Sequence, residues 1–143
     1  MKVLVIGGAG YIGSHAVYEL IRAKHEVVVM DNLSTGYKEF VHKDAKFYLG
    51  DITKKEDLNH VFKEECSIKP FDVVMHFAAK LIVPESVEKP LEYYYNNVEG
   101  VRLMLEVMTE YHIKNVVFSS TAAVYGDSKK GICEEEDYLD PIN

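Results

Sequence analysis

Apolar residues come along this chain in short blocks separated by polar, glycine-marked stretches, and the spacing changes from block to block. Val3-Leu4-Val5-Ile6, Val27-Val28-Val29-Met30, Ala45–Ile52, Phe71–Ala78 and Asn115–Ser119 are continuous or nearly continuous runs. Such runs are the signature of strands buried on both faces of a parallel sheet. Between them the spacing turns helical. Lys54–Glu65 reads as a polar-faced helix, and Leu91, Tyr95, Val98, Arg102, Leu105 and Met108 recur so as to predict a helix reaching about Tyr111. Pro84 and Pro90 mark a loop before that helix, and residues 121–143 read as loop with an acidic patch. Strands alternating with helices require parallel crossovers, hence a doubly wound α/β sheet of order 3-2-1-4-5. No internal repeat interrupts this plan.

The junction of the first strand with the first helix carries chemistry. Gly7-Gly8-Ala9-Gly10-Tyr11-Ile12-Gly13 follows the strand, and Asp31 closes the next one, 18 residues beyond Gly13 and 23 beyond Gly8. Glycines at Gly7 and Gly10 permit a tight turn and a close approach of backbone to a pyrophosphate, while helix N-terminal amides favour negative charge. Gly13 lets helix and strand pack closely. A carboxylate at Asp31 accepts hydrogen bonds from a ribose diol and repels a 2′-phosphate, which favours NAD over NADP. The sheet is therefore Rossmann-like, and the expected ligand is a dinucleotide.

Composition narrows the remaining classes. At 143 residues the chain suits one domain with a substantial core. Its formal charge of −7 and scattered basic residues argue against a nucleic-acid surface. No apolar stretch approaches the length of a membrane span, and no signal-like region opens the chain, so a cytoplasmic location is expected. Cys66 and Cys133 are distant in sequence and lack ligand spacing, as do the six histidines; reduced thiols and no metal are expected.

Ligands of such sheets sit outside the carboxyl ends of the strands. That rule nominates Asp51 and Ile52 beside an adenine, Phe77, Ala78 and Ala79 beside a ribose, and the Ser119-Ser120-Thr121 string. Phe77 reads equally as a core aromatic and Asp51 equally as a turn or capping residue. Asn96 reads as a solvated or capping amide, and Thr121 as a strand-end hydroxyl satisfied by backbone.

Longer strings add a resemblance. Gly7 to His15, Asp31-Asn32-Leu33, Gly50-Asp51-Ile52, His76-Phe77-Ala78-Ala79, Glu85-Ser86-Val87, Lys89 to Tyr94, Asn96-Asn97-Val98 and Phe118 to Gly126 together resemble the extended short-chain dehydrogenase/reductases that modify nucleotide sugars. The resemblance spans the whole chain and points to the branch that inverts carbon 4 of UDP-hexoses, interconverting the glucose and galactose forms. It implies an NAD held by Tyr11, Ile12, Asp31, Asn32, Leu33, Ser34, Thr35, Gly36, Asp51, Ile52, Phe77, Ala78, Ala79, Lys80, Leu81 and Asn96. It also implies that the Thr121 hydroxyl binds the sugar 4-oxygen and helps relay its proton, with a homodimer built on long helices. In that branch a tyrosinate takes the 4-hydroxyl proton, its pKa lowered by a lysine four residues on along one helix and by the charged nicotinamide.

The chain departs from that pattern in places. Lys80 stands one position before the family's lysine, Tyr95 stands where an acid is common, and Ile6 stands where a threonine often precedes the glycines. One Tyr-x-x-x-Lys string occurs, Tyr125 to Lys129, but Gly126, Asp127 and Gly131 predict a turn there and no catalytic role. The resemblance places the true helix beyond Asn143, together with the sixth strand and the substrate domain. The expectation is thus an incomplete NAD-binding domain, inactive alone, whose open sheet edge invites self-association. Two alternatives are another nucleotide-sugar dehydratase or decarboxylase, and a non-catalytic NAD-binding module.

Overall fold

The structure, a computed structural model, describes residues 1–127 and 131–142. Five strands form one parallel sheet: β1 (Lys2–Ile6), β2 (Glu26–Asp31), β3 (Lys46–Leu49), β4 (Val73–His76) and β5 (Val116–Phe118), in the order β3-β2-β1-β4-β5. This is the expected order. β1 is central, with Val5 opposite Val29 on one side and Met75 on the other.

Alternation along the strands divides the core in two. Val3, Val5, Val27 and Val29 meet Val17 of α1 (Tyr11–Arg22) on one face. Leu4, Ile6, Val28, Met30 and Val74 face the other way, onto Leu58, Val61 and Phe62 of α2 (Lys55–Cys66) and Leu103, Met104 and Val107 of α5 (Gly100–Glu110). Each fully buried side chain contributes about 1.5–3 kcal/mol. Both faces being covered explains why β1 and β2 read as unbroken apolar runs.

The region around the prolines differs from expectation. It forms two short helices, α3 (Val83–Glu88) and α4 (Pro90–Tyr94), with Pro84 and Pro90 in their first turns. A proline loses nothing there, because first-turn amides have no intrahelical acceptor. The predicted long helix is α4 joined to α5 through a π turn, Tyr95–Glu99. Beyond β5 the expected loop contains a 3-10 turn, Ala122–Tyr125, capped by the Thr121 hydroxyl, which accepts from the Ala123 amide at 3.1 Å. Gly126, at φ +60, ends it; a Cβ there would stand 2.0 Å from the Asp140 carbonyl oxygen. Tyr125 therefore closes a single turn, and its sequence partner Lys129 lies outside the described residues.

At the opposite end of the sheet from the glycine turn, Lys2 is fully buried. Its ammonium reaches Glu65 Oε2 at 2.7 Å and the carbonyls of Glu65 and Lys69. Glu65 Oε1 accepts from Tyr48 at 2.6 Å and pairs with Lys46 at 2.7 Å. Burial pushes the Glu65 carboxyl up, but Lys2, Lys46 and Tyr48 outweigh it and hold it at about 2. Glu65 stands on the buried stripe of α2 with Leu58, Val61 and Phe62, at a position where the helical period calls for an apolar residue.

Candidate functional site

A cleft of about 730 Å³ opens at the carboxyl ends of β1 to β4. The β1–α1 turn forms its floor. Gly7 has φ +83, and a Cβ there would lie 2.6 Å from the Ala78 amide nitrogen, so only glycine lets β4's extension pass this closely. Gly13 is as demanding, since a Cβ would stand 2.1 Å from the Gly7 carbonyl oxygen. Gly10 is not: a Cβ would meet only that same oxygen, at 3.4 Å. The fold tolerates a side chain at Gly10, and what a side chain would fill is the approach to the α1 N-terminus.

That N-terminus is electrostatically open. α1 has no side-chain cap bond and no acid in its first turn, so its leading amides and the helix dipole face the cleft without a counter-charge of their own. Across the turn, Asp31 is nearly buried at 8 % exposure. Its Oδ2 accepts from the Ala9 amide at 2.9 Å and its Oδ1 from the Leu33 amide at 2.8 Å. The second bond holds Leu33 at φ 56, a left-handed conformation that costs a branched residue about 1–2 kcal/mol. Asp31 therefore braces the glycine turn and the following loop while each oxygen keeps lone-pair capacity for a diol.

Beyond β3, Asp51 accepts from the Thr53 amide and hydroxyl through Oδ1 and from Asn32 through Oδ2. Burial pushes its carboxyl up, but these donors prevail and hold it below the ordinary range. Asp51 is thus both a turn former and a charged group on the cleft wall. Ile52 packs under it against Gly100, where a Cβ would come within 2.9 Å of Ile52 Cγ2. Phe77 belongs to both readings as well, contacting the α1-side core while bordering the cleft.

Of the residues nominated from sequence, Gly7, Gly10, Asp31, Asn32, Ser34, Thr35, Gly36, Asp51, Ile52, Phe77, Ala78, Ala79, Lys80, Leu81 and Asn96 line this one cleft. Gly13 lies behind it, packed on Gly7. Tyr11 and Ile12 follow Gly10 at the rim, exposed, and Leu33 lies beneath the loop it shapes. Thr121 is exposed beyond β5 and does not line the cleft.

Sequence reasoning missed three residues here. Asn97 bonds both backbone groups of Lys80, and Tyr93 engages both of Ile82. Tyr95 borders the cleft beside Thr53. The paired asparagines were a signal, but a regular helix would point Asn96 and Asn97 in different directions. Both nonetheless reach the 78–80 backbone from the π turn, and such turns recur at functional sites. Lys80 is the sole cation among the described residues lining the cleft, against Asp31, Asp51, Glu85 and Glu92; its ammonium rests 3.2 Å from Glu92. His76, at the end of β4, is buried and stacked on Phe118, its Nδ1 without a partner among the described residues. Burial lowers its pKa.

A glycine-rich helix N-terminus facing an acid at the end of β2 is the arrangement that binds dinucleotides, and comparison with known proteins agrees. The UDP-glucose 4-epimerase of Lactobacillus helveticus is 51% identical over 143 residues, all of this chain and 42% of that enzyme. The enzyme of Brucella ovis, solved with NAD, superposes with TM-score 0.87 at 39% identity, over 99% of this chain and 42% of the other. That of Thermotoga maritima, solved with UDP-glucose, gives 0.85 at 37%, over 99% and 45%. The chain spans less than half the length of these relatives. The model of the NAD dependent epimerase/dehydratase family matches residues 3–143, and the chain belongs to that family.

Proposed function

We propose that this chain is the NAD-holding part of an enzyme that interconverts UDP-glucose and UDP-galactose, and that by itself it binds the cofactor without turning substrate over. The observation that carries the cofactor reading is Gly10. It is the one glycine of the turn that the fold itself does not demand, and it borders an uncapped helix N-terminus opposite Asp31. A close-approaching pyrophosphate explains it.

In this reading the first-turn amides after Gly10, including those of Tyr11 and Ile12, receive the pyrophosphate. Asp31 receives the adenosine ribose with Asn32 and the 33–36 loop around it, and Asp51 and Ile52 flank the adenine. Phe77 to Leu81 and Asn96 border the other half of the ligand. When bound, NAD supplies a hydride acceptor and donor for sugar carbon 4. Thr121 spends its oxygen on the Ala123 amide, which leaves its O–H to donate to the sugar 4-oxygen. Among the described residues no tyrosine and lysine stand four apart on a helix, and the reading assigns the acceptor of the 4-hydroxyl proton to none of them.

The enzyme is proposed to be cytoplasmic and to associate through the segment from α4 to α5, whose Leu91, Tyr94, Val98 and Leu105 are exposed. The functional test is calorimetric titration with NAD and NADP, beside an assay for UDP-hexose interconversion. Binding of NAD roughly 100-fold tighter than NADP, with no interconversion, is expected. Absence of NAD binding, or turnover by this chain, would overturn the reading.

A further inference from the structure

The wall of the cleft between Phe77 and α3 belongs to no helix or strand. Residues 79–82 are extended or irregular, with no backbone ladder on the cleft side. Their backbone groups are met by side chains instead. Asn97 Oδ1 accepts from the Lys80 amide at 2.9 Å, and Asn97 Nδ2 donates to the Lys80 carbonyl at 2.9 Å. Two residues further, the Tyr93 hydroxyl oxygen accepts from the Ile82 amide at 3.1 Å and lies 2.9 Å from the Ile82 carbonyl. Its single proton is shared between that carbonyl and Glu85 Oε2, at 2.7 Å.

Alternate residues of an extended chain turn both N–H and C=O to the same side, which is how a neighbouring strand pairs with them. Lys80 and Ile82 have both groups met in the same manner, with Asn97 and Tyr93 in the place of a neighbouring strand. Leu81, between them, is left 78 % exposed on the cleft rim. Asn97 is further buttressed by Asn96, which donates to its Oδ1 at 2.8 Å. Phenol and amide thus mimic one edge of a sheet, both delivered from the α4 and π-turn segment.

We propose that Asn97 and Tyr93 are positioning residues for dinucleotide binding: they hold the Lys80–Ile82 segment as a ready-made wall of the cleft, so that the ligand does not have to order it. This rests on the cofactor reading above. Ordering a loose loop on binding subtracts from affinity, and preorganisation restores it. The wall lies on the β4 side, away from the adenosine pocket of Asp31 and Asp51, so the effect falls on the whole dinucleotide and spares its AMP half.

The test uses Asn97→Ala and Tyr93→Phe in the 143-residue chain, with NAD and AMP titrated separately and amide hydrogen exchange read at Lys80 and Ile82. Asn97→Ala is expected to speed exchange at Lys80 and weaken NAD about 10-fold, the scale of a lost bond or two, with AMP within about twofold. Tyr93→Phe keeps the ring that packs the segment and carries the test if the alanine variant does not fold; faster exchange at Ile82 and a similar selective loss of NAD are expected. NAD and AMP weakening in parallel would mean a general structural role and overturn the proposal, as would unchanged NAD affinity despite faster exchange. A wild-type chain that binds neither probe removes the cofactor reading and this assignment with it, an outcome distinct from a wild type that binds and variants that do not differ.

Discussion

The glycines of one turn are not all glycine for the same reason. Gly7 and Gly13 are demanded by backbone packed within 2.6 and 2.1 Å of an added Cβ, whereas Gly10 meets nothing nearer than 3.4 Å. Gly13→Ala is therefore expected to lose several kcal/mol or fail to fold, because backbone cannot yield as a side chain can. Gly10→Ala is expected to stay within about 1 kcal/mol of wild type, since its φ of −77 suits alanine, yet to weaken NAD at least about 10-fold. Thermal melts beside calorimetry separate the two. Asp31 asks for a similar distinction. Its carboxylate braces Ala9 and Leu33, so Asp31→Ala removes a structural strut together with a ribose acceptor. The milder probe is Asp31→Asn, which keeps the shape and one of the two backbone bonds while its NH2 faces the other amide; a narrowed preference for NAD over NADP is the expected outcome in competitive titration.

Among the elements, α1 and α5 both end on non-glycine residues in the left-handed region, Lys24 at φ 62 and His112 at φ 59. Replacing Lys24 by glycine is expected to stabilise the chain by about 1 kcal/mol, because a glycine adopts this C-terminal turn without a Cβ penalty. Urea titration checks it. The π turn between α4 and α5 works in the opposite sense, accepting an irregular backbone to turn Asn96 and Asn97 toward the 78–80 backbone. α5 is meanwhile anchored to α2 by Lys55, which reaches Glu106 at 2.6 Å and Glu110 at 2.7 Å. The bend is thus confined between a fixed α5 and the cleft.

For the molecule as a whole, acid stability runs through Glu65. Its folded-state pKa, about 2, lies below the ordinary 4.5, so the stabilisation is complete above 4.5 and is lost as pH falls toward 2. Glu65→Gln leaves the buried Lys2 ammonium with Glu26, at 3.6 Å, as its counter-charge and is expected to cost about 2 kcal/mol at neutral pH, and to flatten the fall of melting temperature between pH 4.5 and 2. β5 offers a second surface for association beside the α4–α5 segment. It pairs with β4 alone, and Val116, Val117 and Phe118 are all substantially exposed. Such an apolar edge recruits another strand, so self-association is expected in sizing with light scattering, and Val117→Lys is expected to shift the chain toward monomer.

Sequence by itself determined the sheet and most of the cleft. Buried parallel strands must be apolar on both faces, so β1 and β2 declared themselves; chain order with right-handed crossovers then placed β3, β4 and β5. The ends of those strands named Asp31, Asp51 and Phe77 because ligand position follows from topology. Tertiary structure decided what depends on contacts distant in the chain. It alone showed which glycine the fold can spare, since that is set by how near Gly7, Ala78 and Val29 come to each turn position. The pairing of Lys2 with Glu65 spans 63 positions, which no local pattern registers. Asn97 and Tyr93 escaped notice for the same reason: the backbone they hold lies 17 and 11 residues away.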